Sequence, residues 1–354
     1  MEESPDIRQF CDRVLGRATA CGADYADVRV VRRDSEHVLL RTGKVEGLER
    51  DSSYGFGVRA LVDGAWGFSS SPNATLEEGA RAAEEAVSVA RASAQVKRKE
   101  VNLAEVDVRE GSFVFECETD PFDVPLEDKI GVLRDADRVL RQNEKATLTE
   151  CSMDFWKFEQ VFASTQGAFI EQKKVESGAG ISAMAIEGEE VQQRSYPAGM
   201  GGDYAAAGYE FVESLALVEH AEEVAREAVE LLTAPVCPSG EHTLILEGSM
   251  LALQVHESCG HPIELDRVFG TESSYAGTSF LTTDKLDSFR YGSEIVNITA
   301  DATLPGGLGS FAFDDEGVPA QRVDIVKDGM FSGYLTSRET VSYTHLTLPT
   351  TPYV

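Results

Sequence analysis

The chain has 354 residues, 42% of them hydrophobic, and a formal net charge of −29 from 61 acidic and 32 basic side chains. That length allows two or three domains with buried cores, and the acidity argues against a general nucleic-acid binder, since a phosphate backbone would be repelled. No apolar run approaches the ~20 residues of a membrane span. The start, Met1-Glu2-Glu3-Ser4-Pro5-Asp6, is too acidic for a signal or transit peptide. The six cysteines (11, 21, 117, 151, 237, 259) form no CxxC pair. They read as reduced thiols, mostly buried, of a cytoplasmic protein.

The spacing of Ile7, Phe10, Val14 and Ala18 predicts an amphipathic helix over 5–21, with Ser4-Pro5 as N-cap and N1 proline. Strand-like runs follow at 25–31, 37–41, 45–49, 55–62 and 65–69, with a type I′ hairpin at Asp63-Gly64. Thr75-Leu76-Glu77-Glu78 is a capping box and opens a second helix carrying Leu76, Ala80, Ala83, Val87, Ala90 and Ala94. This unit, 1–110, is a helix and antiparallel-sheet layer domain.

Lys97-Arg98-Lys99 begins a solvated connector. A central α+β domain, 111–234, holds a helix over 126–143, strands at 148–158, 161–164, 167–175 and 179–186, and a helix over 218–232. Its glycine-rich stretch, 197–208, lacks the GxxxxGK[ST] pattern of a phosphate loop and reads as a flexible or close-packed loop. Thr233-Ala234-Pro235 marks a boundary. The remainder, 235–341, is read as β-rich, with strands at 243–246, 295–300 and 322–326 and turns at Pro305-Gly306-Gly307 and Lys327-Asp328-Gly329. Asp314-Asp315-Glu316-Gly317 lacks the spaced oxygens of a calcium loop and reads as a turn.

The chemistry concentrates in His256-Glu257-Ser258-Cys259-Gly260-His261. Two imidazoles, the commonest metal ligands, bracket a carboxylate able to deprotonate a metal-bound water. The arrangement is that of HExxH with one residue more between the histidines. On a regular α-helix an i,i+5 pair lies ~140° apart, against ~40° for i,i+4, so His256 and His261 share a metal only if the backbone departs from the α-helix. A single π-type turn would bring both rings to one face. The expectation is a short helix from about Met250, capped by Ser249, that distorts at Gly260 while Pro262 pushes His261 out of the α region. Two histidines beside a glycine are also compatible with a hydrogen-bonded helix end that binds nothing.

HESCGH resembles the HExxxH signature of the TldD/PmbA family of zinc metallopeptidases, on the TldD side. So do Asp314-Asp315-Glu316-Gly317-Val318-Pro319-Ala320-Gln321-Arg322, the later Lys327-Asp328-Gly329 with Gly333-Tyr334-Leu335, and Tyr54-Gly55-Phe56-Gly57-Val58-Arg59-Ala60 near the start. The elements above make an α+β chain of three domains, and the resemblance implies that it is a peptidase. His256 and His261 would be zinc ligands and Glu257 the general base. The third ligand would be a downstream cysteine, and none follows Cys259. Cys237, Glu264 and Asp266 are the weaker substitutes. The resemblance also implies short or unfolded peptides as substrates, leader trimming among them, and a heterodimer with a related subunit lacking the metal motif. The alternatives are a non-catalytic partner or scaffold subunit, and a metal-dependent hydrolase of other amides or esters. No GxSxG elbow supports a serine hydrolase. From Ser342 to Val354, His345 included, the sequence leaves the family pattern and reads as a non-native tail on a truncated chain.

Overall fold

The computed structural model describes residues 6–199 and 201–342. The Ser4-Pro5 cap and the tail from Tyr343 onward, with His345, lie outside them. Helix α1 (Ile7–Ala20) is capped instead by Asp6, whose carboxylate accepts from Arg8 N. Strands β1 (Tyr25–Arg41), β2 (Lys44–Val62) and β3 (Ala65–Ser71) precede α2 (Leu76–Ala94). Thr75 caps α2 by accepting from Glu78 N at 3.2 Å. The box is only half formed, because Glu78 bonds Arg81 instead.

Next come β4 (Glu110–Val114), α3 (Leu126–Leu140), β5 (Ala146–Ser164), β6 (Phe169–Glu187), β7 (Glu190–Tyr196), β8 (Asp203–Ala205), α4 (Tyr209–Ser214) and α5 (Leu217–Leu231). Where sequence spacing suggests eight short strands, the chain builds four long ones: β1 of 17 residues, and β2, β5 and β6 of 19 each. Polar stretches such as Arg32-Arg33-Asp34-Ser35-Glu36 break the apolar alternation without ending the strand, because residues opposite supply their backbone bonds. Arg33 pairs with Ser53 on one side and Phe158 on the other.

One eight-stranded sheet results, in the order β3-β2-β1-β5-β6-β4, with β7 and β8 also paired to β6. The Asp63-Gly64 turn has the two positive φ values, 47° and 68°, of a type I′ hairpin. Alternate residues of the strands face the helices and make two cores. Val28, Val30, Phe56 and Val58 pack with α1 and α2, and Val38, Leu40, Met153, Phe155 and Ile181 with α3 and α5. Between the cores, Lys129 of α3 is fully buried and reaches Glu36 of β1. The 197–208 loop is close-packed: a Cβ on Gly180 would lie 1.7 Å from the Gly201 carbonyl oxygen.

The third region contains α6 (Gly248–Val255), α7 (Leu265–Val268), a three-stranded sheet of β9 (Ile298–Asp301), β10 (Arg322–Lys327) and β11 (Met330–Phe331), and α8 (Arg338–Ser342). Residues 243–246, expected as a strand, form none: they pair with nothing among the described residues, and Ile245 is 98% exposed. The region rests on the sheet face turned away from the helices. Phe313 packs on Phe162 and Ile170, and Arg29 meets Asp315 at 3.1 Å. Buried Arg338 donates to Ala104 O at 3.0 Å and Gln166 Oε1 at 2.9 Å. The whole is an α+β protein.

Candidate metal centre

The apolar helix α6 runs directly into a π turn at His256–Gly260 and a 3₁₀ turn at His261–Ile263. The widened turn expected from the i,i+5 spacing is present. Its defining bond runs from His261 N–H to the His256 carbonyl, five residues back. The local details differ from expectation. Gly260 (φ −53°, ψ −62°) and His261 (φ −61°, ψ −43°) both stay in the right-handed helical region. Val255 and His256 at its start keep helical dihedrals as well, so the turn is entered and left within the right-handed region. Pro262 falls in the first turn of the 3₁₀ segment, where its missing N–H leaves no bond unmade. The α6 N-cap is Glu247, without a side-chain cap bond, and Ser249 donates its hydroxyl to that glutamate.

Widening the turn places His256 and His261 edge to face, with ring centroids 4.4 Å apart. One ligand atom each from His256, Glu257 and His261 lies within 4.8 Å of the others. All three reach solvent, Glu257 most, with 61% of its side chain exposed. Two imidazoles at an accessible surface suit a borderline-soft divalent ion such as zinc, and the carboxylate beside them is placed to act on a water at that ion.

Contacts from distant segments hold the turn. Tyr291 donates to Ser258 O at 2.8 Å and Ser279 to Pro262 O at 2.5 Å. Leu335 N bonds Ile263 O at 2.9 Å, and Leu265 N bonds Leu335 O at 3.0 Å.

Glu264 orients His261. Its carboxylate lies 3.0 Å from His261 Nδ1 and receives Arg267 Nε at 2.9 Å. Arg267 Nη2 also comes within 3.3 Å of that same Nδ1. The ring nitrogen cannot both donate to Glu264 and accept from Arg267. The shorter contact, to a carboxylate, makes Nδ1 the proton-bearing nitrogen and leaves Nε2 free to bind a metal. The sequence offers Glu264 as a substitute ligand, and its i,i+3 spacing from His261 is the signal for this orienting role. Asp266 accepts from its neighbour Arg267 N, and neither it nor Glu264 belongs to the convergent group.

Among the described residues no cysteine joins the group. Cys259 is 1% exposed in the core beneath the turn, with Leu281, Phe331 and Tyr334. Burial pushes its thiol up from the ordinary range, so it stays protonated there. Cys237 is exposed. The acidic run at 314–317 is a turn: the Asp314 carboxylate accepts from Glu316 N and Val318 N, both at 2.8 Å, and Gly317 has φ 77°. Asp315 pairs with Arg29, and Glu316 accepts from Arg338 N at 2.8 Å.

Three family models match in succession: PmbA/TldA metallopeptidase domain 1 at 26–90, the central domain at 119–234 and the C-terminal domain at 239–351. The third match extends past Val341, where the sequence alone puts the end of the family pattern. A metalloprotease of Synechocystis is 30% identical over 94% of this chain and 68% of its own length. The chain belongs to the PmbA/TldD metallopeptidase family. A metalloprotease of Methanocaldococcus jannaschii is 29% identical over 90% of the chain and 67% of its own length. The chain thus spans about two thirds of the length of the curated relatives it matches. A solved structure described as a modulator of a DNA gyrase from Thermotoga maritima shares the fold (TM-score 0.76, 20% identity, 98% of this chain and 74% of that one). TldE from Thermococcus kodakarensis does so at TM-score 0.68 and 14% identity, over 97% of this chain and 73% of that one.

Proposed function

We propose that the chain is the metal-binding subunit of a zinc-dependent peptidase that hydrolyses short or unfolded peptides, leader segments among them. It would work in the cytoplasm beside a related subunit lacking the HExxxH turn. The observation that carries this reading is the π turn, which converges His256, Glu257 and His261 within 4.8 Å. Family membership supports the peptidase class, and the likeness to TldE in fold fits a paired assembly. The six unpaired cysteines favour a reducing compartment. No helix of the described residues is long and apolar enough to cross a membrane.

His256 and His261 Nε2 would hold the metal, with Glu264 fixing the His261 tautomer. Zinc bound there supplies Lewis acidity and lowers the pKa of an attacking water. Glu257 takes that water's proton on its carboxylate and returns it to the leaving amine as the peptide bond breaks. Its exposure leaves room for a peptide to approach. Tyr291, Ser279 and Leu335 keep the turn in place.

Zinc titration against a competing chelator tests the ligands, and hydrolysis of an unfolded peptide tests the base. His256→Ala and His261→Ala should each weaken zinc binding by more than about tenfold. Glu257→Gln should keep zinc and lose hydrolysis by roughly 10²–10⁴-fold. Zinc bound equally well by both alanine variants, in folded protein, would remove the metal reading and favour a scaffold subunit.

A further inference from the structure

The sheet face opposite the helices holds a cavity of about 720 Å³ where the third region leans on β5 and β6. It does not include the metal centre. Trp156 and Phe158 of β5, Tyr204 of β8 and Phe311 of the covering segment form aromatic walls. Trp156 and Tyr204 lie ring against ring, 5.9 Å between centroids. The covering segment is pinned in place. The Gln172 side chain donates to Phe313 O at 2.8 Å and accepts from Ala312 N and Phe313 N at 3.1 and 2.9 Å. Lys174 donates to Leu308 O at 2.8 Å. The cavity is therefore built by specific contacts between two regions, the kind of place where small-molecule and peptide sites recur.

The charges around it are matched except for one. Asp315 is taken by Arg29 and Gln160, and Glu176 by Lys174 at 2.6 Å. The Asp314 carboxylate is turned back on its own loop. The Arg33 guanidinium lies 5.4 Å from the centroid of the Phe158 ring. It makes no hydrogen bond or ion pair among the described residues. A planar fork of N–H donors over an aromatic wall, with no acceptor, suits a carboxylate attached to an apolar group.

We propose that this cavity binds the C-terminal end of a short peptide, with the α-carboxylate on Arg33 and the apolar side chain among Trp156, Phe158 and Tyr204. The assignment rests on the peptidase reading for its choice of a peptide. It selects peptides by their free end, a recognition step separate from the metal centre.

Trp156 is one of two tryptophans in the chain, so its fluorescence reports the cavity once Trp66 is replaced by Phe. The probes are N-acetyl-alanyl-alanyl-phenylalanine, its C-terminal amide and decanoate, titrated with metal removed by chelator. The acid should bind at least about tenfold more tightly than the amide, as a charge-assisted bidentate contact implies. Arg33→Gln, at an exposed position, should abolish that preference. Phe158→Leu should weaken acid and amide together. His256→Ala should leave all three titrations unchanged. The site is overturned if neither peptide binds, if acid and amide bind alike, if Arg33→Gln keeps the preference, or if decanoate outcompetes the peptide. A normal cavity titration in a protein that neither binds zinc nor cleaves peptides would sink the peptidase reading alone. Zinc-dependent cleavage with no acid preference would sink the cavity alone.

Discussion

The sheet-and-helix body and the region carrying the His256-Glu257-His261 group are stabilised in different ways. In the body, strands of 17–19 residues run side by side, and two apolar cores fill the space beneath five helices. In the site region the strands have two to six residues, and α6 buries none of its side chains. A small core that takes in Cys259 and Ile263 with Leu281, Phe331 and Tyr334, and polar contacts reaching from Tyr291, Ser279 and Leu335, fix the turn instead. The body derives rigidity from many cooperative ladder bonds and two large cores, while the turn of His256, Glu257 and His261 depends on one small core and a few individual bonds. Damage to the body should therefore be seen in folding, and damage to the site region in metal binding.

The largest effect expected from breaking this contrast is in the body. Lys129 is 0% exposed, bonded to Glu36 and to Pro121 O, with its ammonium 4.4 Å from the centroid of the Phe155 ring. Lys129→Met leaves Glu36 buried with only Arg50 as partner and should cost about 3 kcal/mol of unfolding free energy. Zinc affinity of the folded protein should not change. Denaturant unfolding together with zinc titration checks both, and a loss of zinc affinity without a loss of stability would invert the comparison.

A smaller effect belongs to the site. Glu264→Gln keeps the shape but removes the charge that holds His261 Nδ1–H. Zinc affinity should fall roughly 10–100-fold with the melting temperature nearly unchanged. An unaltered affinity would mean that Arg267, not Glu264, sets the ring.

The smallest lies at the seam between the regions. Burial pushes the Asp314 carboxyl up to about 7, against two backbone N–H bonds that lower it. The folded protein then holds a proton that the unfolded chain releases near pH 4. The associated stability is complete below pH 4 and is lost as pH rises through 7. Asp314→Asn can still accept from Glu316 N and Val318 N. It should match the parent below pH 4, gain on it steadily as pH rises towards 7, and exceed it by roughly 1–2 kcal/mol at pH 8, the partly exposed position discounting the full shift. Parallel melting-temperature profiles from pH 5 to 8 would refute this.

Much of the site could be read directly from the chain. The i,i+5 spacing of His256 and His261 required a departure from the α-helix, and a π turn is what formed. Helix faces, the Asp63-Gly64 and Asp328-Gly329 turns and the Thr75 cap were legible for the same reason: each is set by bonds within a few residues. The cap itself shows the limit, since Glu78 turned to Arg81 instead of closing the box. Other features were decided by residues far away. Arg32 to Glu36 reads as a break between strands until Phe158 and Ser53 lie opposite Arg33. Glu264 looks like a spare ligand until its distance to Nδ1 is known, and Arg33 is one more surface arginine until Phe158 is beneath it. Local spacing determined the turns, the helix faces and the widened turn that brings His256 and His261 together, because a helix or turn closes its own hydrogen bonds. Tertiary structure alone decided strand continuity, the partner of each charge and the cavity, because those depend on which distant backbone or side chain arrives alongside.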